Sequence, residues 1–147
     1  MKKTSYLRDG RAPIPEKEIT SKIMSSISDR NTKPEMKLRK SMYLNGVRGY
    51  RLHWKKVPGR PDICFPGKKL AIFVNGCFWH RCPYCKPPMP KSHTKFWKNK
   101  FETNVNRDKK KISLLKKDGW KVLVLWECHI KKDINKSILK VKQVVYA

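Results

Sequence analysis

The chain has 147 residues, and its 36 Lys and Arg against 11 Asp and Glu give a formal net charge of +25. This length fits one domain with one hydrophobic core. The charge predicts a polyanionic partner, because many cations together neutralise phosphates and release counterions. No stretch is apolar enough to span a membrane and no signal-peptide pattern opens the sequence, so we expect a nucleic acid rather than a membrane.

The N-terminal region divides into two predicted segments. Residues 1–18 carry Arg, Lys, Pro and Gly without periodicity, which predicts a flexible basic arm. Residues 19–147 are expected to form a single domain. Its first segment, residues 19–27, has apolar side chains at helical spacing and predicts a short amphipathic helix.

A second helix is predicted over residues 34–45, with Pro34 in its first turn. Glu35 shares one face of this helix with Leu38 and Met42. A carboxylate on an apolar face loses hydration energy unless a cation meets it. Glu35 is therefore either a half-exposed residue favoured by the helix dipole or an active-site carboxylate.

Three short strands are predicted next, over residues 49–54, 62–65 and 69–74. The segment Val57-Pro-Gly-Arg-Pro-Asp62 forms the turn before the second strand. This rigid turn places the carboxylate of Asp62 at the start of that strand.

The second half of the chain alternates helix and strand. A Pro-rich basic loop leads to a long helix over residues 94–117, and residues 119–126 form an apolar run of β-formers. We expect that run to be a central strand covered on both faces. Residues 131–146 predict a C-terminal amphipathic helix. Asp108 interrupts the apolar line of the long helix, so its inward carboxylate requires a cation.

Five cysteines and the missing export signal favour the reducing cytoplasm over a disulfide framework. Cys64 lies within a predicted strand and is expected to be a small buried hydrophobe. The others suit a Zn²⁺ site, because Zn²⁺ takes four N, S or O ligands and a C-x-x-C spacing lets two sulfurs reach one ion. The expected ligands are Cys82, Cys85, Cys128 and Asp108. Cys77 or His93 is the alternative to Asp108, and a redox pair is the competing interpretation of C-x-x-C.

A carboxylate and an imidazole on neighbouring strands, Asp62 and His80, are parts of a metal-assisted hydrolase. Phosphodiester hydrolysis uses Mg²⁺, which prefers oxygen ligands such as Asp62. His80 would activate or position the attacking water. His80 is also two residues from Cys82, so a zinc ligand is its alternative role.

Two adjacent aromatics, Phe78 and Trp79, stand beside this site, and Trp97 lies across the basic loop. Such rings either cap the core or slip between DNA bases. Insertion costs unstacking energy, which is smallest beside a mismatch.

Four segments, in this order, resemble the very short patch repair endonuclease (Vsr) family over roughly residues 19–130. They are Pro58-Gly-Arg-Pro-Asp62, Asn75-Gly-Cys-Phe-Trp-His80, Asn104-Val-Asn-Arg-Asp108 and Gly119-Trp-Lys-Val-Leu-Val-Leu-Trp-Glu-Cys128. The resemblance implies an α/β restriction-endonuclease-like core, a central mixed sheet flanked by helices, with a structural zinc site. It also implies a Mg²⁺-dependent enzyme that nicks one DNA strand next to a thymine mispaired with guanine.

The resemblance further implies roles for single residues. The backbone carbonyl of Val74 would be a second Mg²⁺ ligand, Glu35 would assist catalysis, and the aromatics Phe78, Trp79 and Trp97 would intercalate. Asn75 stands where some members have a histidine, so its catalytic part is at most hydrogen bonding to phosphate or water. The family's products are a 3′-hydroxyl and a 5′-phosphate, and the segment 19–27 would approach the DNA minor groove rather than dock on the core.

We therefore expect a monomeric, DNA-associated bacterial protein of the cytoplasm that binds double-stranded DNA with a T:G mismatch and works beside other repair proteins. Two alternatives stay open. One is a restriction-like endonuclease that acts on unmismatched or modified DNA. The other is a non-catalytic, zinc-stabilised nucleic-acid-binding module.

Overall fold

Residues 31–147 are described by a computed structural model of the chain, and they form a four-stranded mixed sheet with helices on its faces. The predicted basic arm and the helix at residues 19–27 lie outside the described residues. The elements in chain order are α1 Lys33–Leu44, β1 Arg51–Leu52, β2 Ile63–Phe65, β3 Leu70–Asn75, α2 Cys77–His80, α3 Thr94–Lys117, β4 Lys121–Trp126, α4 Glu127–Lys132 and α5 Ile134–Val145. Among these helices, none combines the length and the apolar character needed to cross a membrane.

The strand order is β1-β2-β3-β4, with antiparallel pairs except for the parallel pair of β3 and β4. The helix α3 makes the crossover that a parallel pair requires. β3 is an inner strand, and every one of its residues is buried. Among the strands of residues 31–147, β4 lies at the edge and its Lys121 is exposed, so the prediction that residues 119–126 form a central strand is wrong for this sheet. Its apolar run instead reflects the helices that cover a parallel pair.

Alternate residues of the strands feed two separate cores. Ile72 and its neighbours pack with residues of α1 and α5, including Leu38 and Val141. On the other face, Cys64 and Phe73 pack with α3 and with the segment that follows it. The predicted burial of Cys64 is confirmed, and the sheet is the middle layer of an α/β/α arrangement.

Two predicted elements are shorter than expected. The strand predicted over residues 49–54 reduces to β1, because His53 turns the backbone into the left-handed region at φ 48°. The C-terminal helix divides into α4 and α5 at Asp133. Its side chain accepts a hydrogen bond from the amide of Lys136 at 3.2 Å and so begins α5 as an N-cap.

The turn before β2 is fixed by packing as well as by proline. Val57 is buried, and Gly59 has φ 80°. A Cβ at position 59 would lie 3.0 Å from the Cβ of Lys111 in α3. The positive φ favours glycine here, a Cβ would also crowd Lys111, and the turn holds Asp62 at the start of β2.

Candidate active site and metal centre

Asp62 lies immediately before β2 and reaches across to β3. Its Oδ2 accepts a hydrogen bond from the amide of Val74 at 2.7 Å. Burial, reinforced by the nearby carboxylate of Glu35, raises the pKa of Asp62 to about 6, although the Val74 amide opposes the shift. Val74 thus contacts this carboxylate through its N–H, and the use of its carbonyl as a metal ligand stays a prediction.

Glu35 belongs to the buried face of α1 with Leu38 and Met42, as the helical spacing indicated, and it is 1 % exposed. Its Oε2 lies 3.2 Å from Nη1 of Arg39 and 2.9 Å from Nε2 of His53. The half-exposed alternative for Glu35 is therefore wrong, because the carboxylate lies inside the fold with cationic or polar partners.

His53 completes a group that sequence reasoning missed. One ligand atom from each of Glu35, His53 and Asp62 lies within 4.8 Å of the other two, so the three residues could hold a metal ion. The amide of His53 also donates to the carbonyl of Asp62 at 3.1 Å. The feature that could have pointed to His53 was the antiparallel pairing of β1 with β2. This pairing brings His53, which follows β1, beside Asp62, which precedes β2.

His80 ends α2 and meets Asp108 of α3, with 2.5 Å between Nδ1 and Asp108 Oδ2. We had expected Asp108 to complete the thiol site. The structure places it here instead, because the inward aspartate of α3 faces an imidazole rather than the cysteines. His80 is also close enough to Asp62 to act on the pKa of that carboxyl group. The site thus brings Asp62, His80 and Asp108 into one neighbourhood.

Asn75 is the last residue of β3, and its side chain is buried. It lines a small depression together with Asp108 and Lys111. The side chains of Asn75 and Lys111 lie near the His80–Asp108 pair. Both carry N–H donors that can bind a phosphate oxygen.

Four cysteines converge beside this site. The sulfurs of Cys77, Cys82, Cys85 and Cys128 all lie within 4.8 Å of one another, so they could hold a metal ion. Cys77, the predicted alternative to Asp108, is thus the fourth member of this thiol cluster. Cys82 Sγ and Cys128 Sγ are 3.7 Å apart, far longer than the bond of a disulfide. His80 and His93 are not members of this group.

Backbone amides point at two of these sulfurs. The amides of Tyr84 and Cys85 donate to Cys82 Sγ at 3.4 and 3.5 Å, and the amide of Cys128 donates to Cys77 Sγ at 3.3 Å. Burial acts to raise the pKa of the Cys82 thiol, but the two amides together with hydrogen bonds from the Cys128 and Cys85 side chains hold that pKa below its ordinary value. Burial raises the pKa of Cys77, and a bound cation would favour its ionised form.

Glu127, the first residue of α4, ties the end of β4 to the start of α2. Its Oε1 accepts a hydrogen bond from the amide of Cys77 at 3.1 Å, and its Oε2 lies 2.8 Å from Lys131 Nζ. The hydrogen bond with Lys131 lowers the pKa of Glu127. Because α2 carries both Cys77 and His80, Glu127 fixes the thiol cluster relative to the imidazole. Sequence reasoning did not assign it a role.

The aromatic residues of α2 and α3 form one cluster. Ring centroids are 5.1 Å apart for Phe78 and Trp79, 5.4 Å for Phe78 and Trp97, and 5.6 Å for Trp79 and Trp97. Phe101 is buried and supports the cluster from the interior of the fold. The guanidinium of Arg81 lies 4.3 Å from its ring centroid. The three rings expected to intercalate are thus neighbours of one another. Two of them belong to α2, the helix that ends at His80.

The chain matches the family model for the DNA mismatch endonuclease Vsr over residues 13–86. It is 36 % identical to the DNA mismatch endonuclease Vsr of Escherichia coli, over 82 % of this chain and 76 % of that protein. It is 41 % identical to the type II nicking enzyme V.XorIIP of Xanthomonas oryzae, over 74 % of this chain and 79 % of the relative. A similar match, 37 % identity over 84 % of this chain and 91 % of the relative, is found with the type II nicking enzyme V.NmeAIP of Neisseria meningitidis.

The mixed α/β sheet, with its cluster of carboxylate and imidazole groups, and these relatives together define a DNA endonuclease. The chain belongs to the Vsr family of DNA mismatch endonucleases. Membership implies a restriction-endonuclease-like fold, a DNA substrate and the use of a divalent metal ion.

Proposed function

We propose that this endonuclease nicks one strand of duplex DNA next to a thymine mispaired with guanine, by Mg²⁺-dependent hydrolysis of one phosphodiester. The observation that carries the proposal is that Asp62 is bound to Val74 of β3, next to Asn75, which lines a small depression with Asp108 of the His80–Asp108 pair. The helix α2 that carries His80 also carries aromatic rings of the cluster. The names of the relatives, a mismatch endonuclease and nicking enzymes, support both parts of it. The choice of thymine opposite guanine comes from the resemblance to the family.

His80 is suited to remove a proton from water. Asp108 accepts a hydrogen bond from Nδ1–H, which fixes the ring orientation and leaves Nε2 as the basic nitrogen. Nε2 takes a proton as the water oxygen bonds to phosphorus. The bond from phosphorus to O3′ breaks, and O3′ takes up a proton. The products are a 3′-hydroxyl and a 5′-phosphate.

The catalytic ion would be held by Asp62, with Glu35 beside it. When bound, Mg²⁺ neutralises charge on the phosphate and lowers the pKa of a coordinated water. Carboxylate oxygens are the ligands that Mg²⁺ prefers, so these residues fit the ion. Because the Val74 amide holds Oδ2, the other carboxylate oxygen of Asp62 would be the one that holds the ion.

The second ion would be a structural Zn²⁺ in the thiol cluster. Four sulfurs about 2.3 Å from a tetrahedral zinc are about 3.8 Å apart, close to the 3.7 Å between Cys82 Sγ and Cys128 Sγ. The donor set Cys77, Cys82, Cys85 and Cys128 therefore fits Zn²⁺. Zinc here would anchor both ends of the segment that carries the aromatic rings and His80.

The aromatic cluster would act on the DNA stack. Phe78, Trp79 and Trp97 are half-buried, so each ring keeps a free surface while its neighbours hold it in place. A rigid wedge loses little entropy on insertion, and unstacking is easiest beside a mismatch. The carbonyl of Trp79 accepts a hydrogen bond from Asn104 at 3.1 Å, which holds the wedge against α3.

The test uses end-labelled duplexes that carry each of the mismatches in turn, incubated with the protein and Mg²⁺ and resolved on a strand-specific gel. Nicking of one strand at thymine opposite guanine, lost in Asp62→Asn, is the expected result. Equal cutting of a perfectly paired duplex would favour the restriction-like alternative. Tight binding without cleavage of any duplex would favour the non-catalytic alternative.

A further inference from the structure

His53 has a conformation that its own strand does not explain. It follows β1 with φ 48°, in the left-handed region that few residues other than glycine adopt. The hydrogen bond from its amide to the carbonyl of Asp62 holds this conformation. Strained backbone of this kind persists where the surroundings fix it, often at functional sites. Its effect here is to place the imidazole beside Asp62.

The ring nitrogen of His53 is buried beside two carboxylates and yet poorly satisfied. Nε2 makes no hydrogen bond to any described residue. Its 2.9 Å approach to Glu35 Oε2 lacks the angle of a hydrogen bond. A buried nitrogen without a partner costs free energy, so its position calls for another atom.

The distances suit one shared ion. Two ligand atoms about 2.1 Å from an octahedral ion and at right angles to each other are about 3.0 Å apart. The 2.9 Å between His53 Nε2 and Glu35 Oε2 matches that spacing. Asp62 offers its ligand atom within 4.8 Å of both. An ion bound by the three residues would complete the coordination of Nε2.

We propose that His53 Nε2 is a direct ligand of the catalytic ion, together with Glu35 and Asp62. This inference rests on the proposed function, since it concerns the same ion. An imidazole changes which ions the site prefers. Mg²⁺ prefers oxygen ligands, whereas imidazole nitrogen is a ligand of first-row transition-metal ions, to which Mn²⁺ belongs. The site therefore binds Mn²⁺ in preference to Mg²⁺ by a larger factor than an all-oxygen site does.

The test measures coordination directly and does not depend on cleavage. Protein whose thiol cluster is first filled with Zn²⁺ is titrated with Mn²⁺, and free Mn²⁺ is followed by electron paramagnetic resonance. Pulsed measurements on the bound Mn²⁺ then detect coupling to a directly coordinated ¹⁴N. The wild-type protein is expected to show imidazole coupling, and competition with Mg²⁺ gives the preference between the two ions.

Two substitutions remove the ligand in different ways. His53→Gln offers an oxygen in place of the ring nitrogen, and His53→Asn tolerates a positive φ but is too short to reach the ion. Both are expected to lose the ¹⁴N coupling and to weaken Mn²⁺ binding by at least about tenfold. In His53→Gln the preference for Mn²⁺ over Mg²⁺ also falls. Circular dichroism verifies that each variant is folded.

Matched controls separate this inference from the proposed function. His93→Gln changes an exposed histidine in the same way and should keep the coupling, as should His80→Gln. If Mn²⁺ binding depends on Asp62 but coupling and affinity are the same in the His53 variants, the inference is overturned and the metal site stands. If Mn²⁺ binding is also unchanged in Asp62→Asn, both the metal site and the inference are overturned.

Discussion

Replacing Asp62 by asparagine should make the protein more stable in the absence of free divalent ions, while it abolishes cleavage. Burial and the neighbouring Glu35 raise the pKa of Asp62 from 3.8 to about 6, so the folded state holds the ionised carboxylate at a cost. A difference of that size corresponds to about 3 kcal/mol once the group is fully ionised. Asparagine removes the charge, and its oxygen can still accept the hydrogen bond from the Val74 amide.

The expected gain in the free energy of unfolding at pH 8 is about 1 to 3 kcal/mol, which raises Tm by roughly 3 to 10 °C. The size of this gain depends on pH in a defined way. Because the folded pKa of Asp62 lies above its unfolded value, the cost is present above about pH 6 and is relieved as pH falls toward 3.8. The advantage of the variant over the wild type should therefore shrink at pH 5.

The assay is thermal unfolding followed by circular dichroism, with the thiol cluster filled and no free divalent ion present. Added Mg²⁺ should stabilise the wild type and leave Asp62→Asn unchanged, because ligand binding stabilises only the protein that binds it. Asp118→Asn, at the exposed end of α3, is the matched control and should shift Tm little at either pH. An Asp62→Asn variant that is less stable at pH 8, or whose advantage grows at pH 5, would refute the reasoning.

Four further results are expected. His80→Ala should lower the single-turnover cleavage rate by about 10²- to 10⁴-fold with DNA affinity retained, because a general base is lost. Asp108→Asn should lower the rate less, because the amide oxygen can still accept from Nδ1–H although the negative charge beside the ring is lost. Cys85→Ser should release zinc, measured with a chromogenic chelator, and lower Tm, whereas Cys64→Ser should keep the metal because it lies in the core. Trp79→Ala should weaken binding to mismatched duplex, followed by 2-aminopurine fluorescence beside the mismatch, by about 10-fold or more.

Each of these expectations has an outcome that contradicts it. Full cleavage by His80→Ala would mean that another group activates the water. An Asp108→Asn variant more impaired than His80→Ala would mean that the carboxylate does more than orient the ring. Unchanged zinc content in Cys85→Ser would remove Cys85 from the ligand set. Equal loss of affinity by Trp79→Ala for mismatched and paired duplex would argue against a wedge.

Local chemistry in the sequence was sufficient for most of the fold. The long helix α3 was predicted with the bounds that it has, because its apolar spacing and the Asp118-Gly119 stop are local signals. The alignment of Glu35 with Leu38 and Met42 on one face of α1 also followed from spacing, whereas its burial was left open. The edge position of β4 did not, since a strand beside one parallel partner and covered by helices has the same apolar run as a central strand.

By itself the sequence determined which chemical groups are present: an excess of cations that suits DNA, thiols that could hold one metal, and a carboxylate and an imidazole that suit hydrolysis. Only the tertiary structure decided how these groups are shared out. It paired Asp108 with His80, placed Cys77 with the other three thiols, and brought His53 next to Glu35 and Asp62. The reason is physical: which groups meet depends on strand register and helix packing, and these arise from contacts between residues far apart in the chain.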